Sequence, residues 1–189
     1  HLNIWRQSTG KAKKPVIIYF YGGGFINGHG SAELYTPEHI VELHDVIMIT
    51  FNYRLGALGF LDWSYFNAHY DKNNGLSDQI AVLKWVAHFI EYFGGDPNNV
   101  TLWGQSAGSM SIQALMQQPQ LDHYYNQVML LSGILQLDSA ETGMMKAQYF
   151  DDLMQQHFSG KSINDLDNQA ILQLMAYDEK ARGKSKGLE

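Results

Sequence analysis

Residues 100–112, VTLWGQSAGSMSI, decide how this chain folds. A short apolar strand, residues 100–103, leads into Ser106, which stands between Gly104 and Gly108, and a helical pattern follows at once. A strand, a sharp turn and a helix in this order are typical of a nucleophile elbow, which exposes the serine hydroxyl. The five-residue pattern alone is a weak signal. Its alternative is a Gly-rich turn whose serine only caps the helix.

The two glycines around Ser106 have a steric reason in such an elbow. The turn is expected to hold the Ser106 backbone in a strained conformation. Gly104 and Gly108 would leave out the Cβ atoms that clash in so tight a turn.

The rest of the chain alternates apolar strands with amphipathic helices. This order predicts an α/β fold with a mostly parallel sheet and helices on both faces. The polar connection 8–15 is of the kind that joins antiparallel strands. We expect three apolar strands to be buried in the sheet: 16–21, 46–53 and 127–133. The predicted strands are 1–7, 16–21, 46–53, 100–103 and 127–133. The predicted helices are 36–44, 75–95, 107–118 and two amphipathic segments, 147–158 and 168–177.

Composition narrows the function classes. The chain has 189 residues, of which 45% are apolar and 13% aromatic, so it can fill the core of one domain. A formal net charge of −6 and the lack of a dense basic run on a patterned element argue against nucleic acid or an anionic membrane as partners. Zero cysteines exclude disulfides and thiolate metal sites and fit a reducing cytoplasm. We expect no metal and no cofactor.

A second signal lies at the end of the strand 16–21, where three consecutive glycines, residues 22–24, follow Tyr21. One interpretation is a flexible loop. The other is half of an oxyanion hole, because bare backbone N–H groups at this edge of a sheet can point at a developing negative charge. The N–H group of Ala107, directly after the serine, would be the second half.

Four segments together resemble the type B carboxylesterases, a family that includes bacterial para-nitrobenzyl esterases and animal cholinesterases. The segments are YGGGFINGHG (21–30), VIMITFNYRLGALGFL (46–61), the long run 73–112 and LLSG (130–133). The resemblance covers residues 1–133 and implies an α/β-hydrolase fold, a bacterial cytoplasmic enzyme and a small-molecule ester as substrate.

The resemblance also implies roles for individual residues. Ser106 would be the nucleophile, and three backbone N–H groups would form the oxyanion hole. Two side chains would lie beside the pocket, and two charged side chains would form a structural ion pair. The oxyanion donors are Gly23, Gly24 and Ala107, the pocket neighbours are Phe25 and Gln105, and the ion pair is Arg54 with Asp78.

The base and the acid of the triad are expected outside this sequence. In this fold they follow the serine in the order acid, then histidine. Only His123 and His157 follow Ser106, and both fit surface positions better. Family members are more than twice as long, so we interpret residues 1–189 as one partial α/β-hydrolase domain, with a sheet portion (1–133) and a helical segment (134–189). The C-terminal strands and the triad histidine and acid are then absent, and the isolated chain is expected to be inactive. Its uncovered sheet edge is expected to favour dimers or aggregates.

Three alternatives stay open. The same fold occurs in adhesion proteins without a triad, so a non-catalytic interaction module is the second hypothesis. A self-sufficient small hydrolase that uses His157 is the third. The aromatic loop 59–75 either lines the pocket with Trp63, Tyr65 and Phe66 or packs on the body of the domain.

Overall fold

A computed structural model describes residues 1–8 and 13–184 of the chain. The contacts among these residues define two compact units. The first contains His1–Leu55 and Asn74–Gln136, and the second contains Gly56–Asn73 and the residues from Leu137 onward. That the whole chain is one partial domain stays a prediction.

The first unit is built on a sheet of five strands. The strands are β1 (Leu2–Trp5), β2 (Lys14–Phe20), β3 (Ile47–Phe51), β4 (Gly95–Gln105) and β5 (Gln127–Leu131). They lie in the order β1-β3-β2-β4-β5. Strand β1 runs antiparallel to β3, and all other neighbours are parallel. The prediction of a mostly parallel sheet is therefore confirmed.

The expectation that the connection 8–15 joins an antiparallel pair is wrong. Strand β1 pairs with β3, because β2 is already flanked by β3 and β4. Two side-chain donors bind β1 to its partner: Asn3 Nδ2 and Trp5 Nε1 donate to Thr50 Oγ1 over 3.1 and 3.3 Å. Residues 9–12 of the connection lie outside the described residues.

The predicted helices are present with shifted ends. The helix that begins at Asn74 stops at Phe89 and continues as the 3-10 helix Ile90–Phe93, and Gly94 ends it with φ +82°. A short helix, Gly56–Phe60, was not predicted, because five residues are too few to show a helical period. The helices are α1 (Glu38–Leu43), α2 (Gly56–Phe60), α3 (Asn74–Phe89), α4 (Ala107–Leu115), α5 (Ala140–His157) and α6 (Asn168–Lys184).

Burial follows the position of each strand in the sheet. Ile18, Ile49 and Leu102, on the three central strands, are fully buried. The prediction that 127–133 is a buried strand is wrong: four of the five residues of β5 are exposed. Strand β5 lies at the edge of the described sheet, and no described strand pairs with its outer side.

The second unit has its own apolar core around Trp63 and Phe150, whose ring centroids lie 5.9 Å apart. Tyr65 and Phe66 pack against this core. The packing interpretation of the aromatic loop is therefore the one that the structure favours. None of the helices in the described ranges has the length and apolar character needed to cross a membrane.

Candidate active site

The strand, turn and helix predicted around Ser106 are all present. Strand β4 ends at Gln105, helix α4 begins at Ala107, and Ser106 alone forms the turn between them. Its backbone has φ 53° and ψ −122°, a conformation that side-chain-bearing residues rarely adopt. No side-chain capping bond from Ser106 to the helix is present. This geometry favours the elbow over the helix-cap alternative.

The glycines around the elbow have the expected steric cause. A Cβ atom on Gly104 would lie 2.6 Å from the backbone of Gly108, and one on Gly108 would lie 2.0 Å from the carbonyl oxygen of Phe20. Helix α4 therefore begins in direct backbone contact with the end of β2. Larger residues at either position would push the helix away from the sheet.

The backbone of Ser106 is fixed from both sides. Its N–H donates to the carbonyl oxygen of Leu131 on β5 over 2.8 Å, and its own carbonyl accepts from the N–H of Met110 over 3.0 Å. Gly133 packs so closely that a Cβ atom there would lie 2.4 Å from the Ser106 carbonyl oxygen. The strained φ is thus held by sheet, helix and loop together, which is the condition under which such strain persists.

The glycine loop meets the elbow because β2 and β4 are parallel neighbours in register. Phe20 pairs with Gly104, so both chains leave the sheet at the same edge. The Cβ position of Gly22 lies 3.0 Å from Cβ of Ser106 and 2.6 Å from Oε1 of Gln105. The sequence interpretation did not single out Gly22, although its place as the first of three glycines was a signal.

The loop itself is a tight turn. Gly23, Gly24 and Phe25 have φ values of +119°, +60° and +62° in succession. The carbonyl oxygen of Gly23 accepts from the N–H groups of Ile26 and Asn27, both over 3.1 Å. The carbonyl of Gly23 therefore accepts hydrogen bonds within the loop, whereas the N–H groups of Gly23 and Gly24 donate to no backbone acceptor among the described residues.

Ala107 supplies the third candidate donor. It is the first residue of α4 and is buried. The N–H of a first helical residue has no acceptor within the helix. The three predicted oxyanion donors, Gly23, Gly24 and Ala107, thus lie in the loop and the turn that meet beside Ser106. Phe25, directly after Gly24, is half-buried. The side-chain amide oxygen of Gln105 lies against Gly22.

Arg54 and Asp78 form an ion pair. Nη2 and Nε of Arg54 donate to Oδ1 and Oδ2 of Asp78 over 2.8 and 2.9 Å, and the Arg54 backbone N–H donates to Oδ2 over 2.9 Å. Burial alone would raise the pKa of Asp78, but the Arg54 side-chain and backbone hydrogen bonds and its charge hold that pKa below its usual value. The pair is not fully buried, since the side chains are 49% and 28% exposed.

The two histidines that follow Ser106 are exposed. The ring of His123 lies against that of Tyr124, with centroids 3.9 Å apart. Within the second unit, the ring of His157 stacks on that of Tyr177, also with centroids 3.9 Å apart. These environments are those of surface histidines. Over the described ranges, no group of three or more His, Asp or Glu side chains could hold a metal ion.

Comparison with known proteins identifies the family of this chain. Residues 1–167 match the carboxylesterase family model, so the chain belongs to the carboxylesterase family. It is 44% identical over 133 residues to the para-nitrobenzyl esterase of Bacillus subtilis (strain 168), covering 70% of this chain and 27% of that protein. It is 38% identical over 133 residues to cholinesterase 1 of Branchiostoma lanceolatum, covering 70% of this chain and 36% of that protein.

Solved structures show the same fold. A PNB esterase superposes with a TM-score of 0.84 at 34% identity, covering 93% of this chain and 38% of the other. The α/β-hydrolase fold predicted from the sequence is therefore confirmed. The chain spans between 27% and 38% of the length of the proteins described above.

Proposed function

We propose that the protein to which this chain belongs hydrolyses carboxylic esters of small molecules, with Ser106 as the nucleophile. The observation that carries the proposal is the strained Ser106 backbone, held at φ 53° beside the glycine loop. Strain of this kind costs about 1–3 kcal/mol, persists only where the surrounding structure enforces it, and is concentrated at active sites and ligand clamps. A turn whose only task were to connect β4 with α4 would not need it.

The reaction is an acyl transfer in two steps. The Oγ atom of Ser106 attacks the ester carbonyl carbon while its proton passes to a general base, and the carbonyl oxygen becomes an oxyanion. The N–H groups of Gly23, Gly24 and Ala107 stabilise that oxyanion. The tetrahedral intermediate collapses as the base returns this proton to the leaving oxygen, and the alcohol departs. Water then gives a proton to the base and attacks the acyl-serine carbonyl, and the carboxylic acid leaves as the base returns that proton to Ser106 Oγ. The pocket neighbours in this proposal are Phe25 and Gln105.

A histidine oriented by a carboxylate is the usual base for such a serine. The exposed surface positions of His123 and His157 do not suit that role. We therefore expect the 189-residue chain alone to turn over esters very slowly or not at all. We also propose that this chain self-associates through β5, most of whose residues are exposed. We further propose that the enzyme is bacterial and cytoplasmic and that it binds neither nucleic acid nor membranes. The cysteine-free composition supports the cytoplasmic location, and the net charge of −6 opposes binding to nucleic acid or anionic membranes.

The test uses the full-length protein and a fluorophosphonate probe that labels activated serines. We expect wild-type protein to carry the label on Ser106, found by peptide mass spectrometry, and to cleave a para-nitrophenyl ester. Ser106→Ala should lose both properties, whereas Ser109→Ala, which removes a different serine hydroxyl from the first turn of α4, should keep them. Parental ester cleavage by Ser106→Ala would refute the assignment. A wild-type protein that is not labelled would favour the non-catalytic interaction module.

A further inference from the structure

Tyr21 and Tyr53 form a buried pair directly beneath the glycine loop. Tyr21 is the last residue before Gly22, and Tyr53 follows β3 by two residues. Their rings stack with centroids 4.5 Å apart and planes 19° from parallel. The hydroxyl of Tyr53 donates to the backbone carbonyl oxygen of Tyr21 over 2.9 Å. The two side chains are 1% and 5% exposed, so water does not compete for this bond.

The accepting carbonyl belongs to the peptide bond that joins Tyr21 to Gly22. Strand β2 has ended at Phe20, so this carbonyl lies beyond the sheet ladder. The plane of that peptide sets the direction in which the chain enters the loop. A Cβ atom on Gly22 would lie only 3.0 Å from Cβ of Ser106. A rotation of the Tyr21–Gly22 peptide would therefore move the loop relative to the nucleophile.

The segment that carries Tyr53 is itself held in place. The next residue, Arg54, is bound to Asp78 on α3 through its backbone N–H as well as its guanidinium group. One carboxylate thus fixes the main chain directly after Tyr53. Bonds run without a gap from α3 through Arg54 and Tyr53 to the carbonyl of Tyr21.

We propose that Tyr53 is a positioning residue for the oxyanion hole, holding the loop 22–24 in place through the carbonyl of Tyr21. This inference rests on the proposed esterase function. Tyr53 touches no reacting atom in this scheme. Its hydroxyl limits the rotation of one peptide group, so the N–H groups of Gly23 and Gly24 are preorganised before the substrate arrives.

The electrostatics suit a permanent donor. Burial, followed by the nearby Tyr21, Tyr35 and Tyr19 phenols, raises the pKa of Tyr53 above its usual value. The hydroxyl therefore keeps its proton at every pH at which the ester reaction is measured. The loss caused by removing it should not depend on pH over the neutral range.

The test compares two variants that each remove one hydroxyl from the same ring stack. Tyr53→Phe deletes the 2.9 Å bond, whereas Tyr21→Phe deletes only the longer contacts of its hydroxyl with the carbonyl oxygen and N–H of Tyr53, at 3.4 and 3.5 Å. Amide hydrogen exchange of the peptide that contains residues 22–28 is the first readout. We expect exchange there to be about tenfold faster in Tyr53→Phe and nearly unchanged in Tyr21→Phe.

The second readout is acylation of full-length protein by a para-nitrophenyl ester. We expect Tyr53→Phe to lower the acylation rate constant about tenfold with KM changed less than about twofold, because misplaced donors weaken only the transition state. Equal losses in both variants, or a rise in KM alone, would overturn the positioning role. If wild-type protein is not acylated at Ser106, the proposed function fails, and the exchange measurement still decides whether Tyr53 holds the loop.

Discussion

The carbonyl oxygen of Phe20 lies 2.0 Å from the position that a Cβ atom on Gly108 would occupy. No Cβ atom can approach a backbone oxygen so closely, and neither the end of β2 nor the first turn of α4 can move without disturbing the elbow. We expect Gly108→Ala to destabilise the chain by at least about 3 kcal/mol, measured by denaturant unfolding.

The matched control for this substitution is Gly143→Ala in α5. The nearest atom to a Cβ atom there is 3.9 Å away. Since alanine is the better helix former, this variant should gain about 0.5–1 kcal/mol. Equal effects at the two positions would mean that the contact with Phe20 does not limit the size of residue 108.

Gly23 and Gly24 should respond differently to alanine. Gly23 has φ +119°, and a Cβ atom on it would lie 2.2 Å from the carbonyl oxygen of Asn27. Gly24 has φ +60°, and its nearest contact would be 3.9 Å away. We expect Gly23→Ala to slow acylation at Ser106 by at least about a hundredfold, and Gly24→Ala by about tenfold or less. Stopped-flow burst kinetics on full-length protein measure both, and the reverse order would contradict the loop geometry.

The Arg54–Asp78 pair should make stability depend on pH in the acid range. The pKa of the Asp78 carboxyl group in the folded state lies below its ordinary value of 3.8. The stabilisation is therefore complete above that value and is lost as the pH falls through the folded pKa. We expect Asp78→Asn to cost roughly 1 kcal/mol at about pH 7 and almost nothing at about pH 2, measured by urea unfolding at each pH.

Asp138→Asn is the control for this prediction. It breaks the ion pair in which Nζ of Lys146 lies 2.5 Å from Oδ2 of Asp138. The side chains of Lys146 and Asp138 are 40% and 54% exposed. An exposed pair contributes little, so the change should stay below about 0.5 kcal/mol at both pH values. A loss for Asp78→Asn that does not shrink in acid would show that the carboxylate charge is not its cause.

The exposed edge strand β5 should promote self-association of the 189-residue chain. Met129, Leu130 and Leu131 are 50%, 37% and 41% exposed. Because neighbouring residues of a strand point to opposite faces, both faces of β5 are exposed. A lysine on an edge strand opposes pairing with another chain. We expect Met129→Lys to shift the chain toward monomer in sedimentation velocity, whereas Leu34→Lys, at an 84% exposed position away from the sheet, should not. A wild-type chain that is monomeric at high concentration would contradict the expectation.

The elbow and the glycine loop could be predicted because their causes are local. A serine between two glycines, after an apolar strand and before a helical pattern, is visible in ten consecutive residues. The contact between Gly22 and Ser106 was less visible, since it depends on the register in which β2 pairs with β4. No pattern within either segment specifies that register.

Strand pairing and burial at the edges could not be derived from the segments alone. The alternation in 1–7 indicates a strand, but its choice of β3 over β2 depends on which sheet edge is open. The apolar run 127–131 is compatible with burial on both faces, yet its exposure depends on what lies beside it.

The amino-acid sequence by itself determined the α/β order of elements, the strained serine turn and the family to which the chain belongs, because each depends on short-range spacing. The tertiary structure alone decided which segments meet. Parallel pairing brings the glycine loop against Ser106, and the carboxylate of Asp78 anchors the segment whose Tyr53 holds the carbonyl of Tyr21. These contacts join residues far apart along the chain, so their geometry exists only once the sheet has formed.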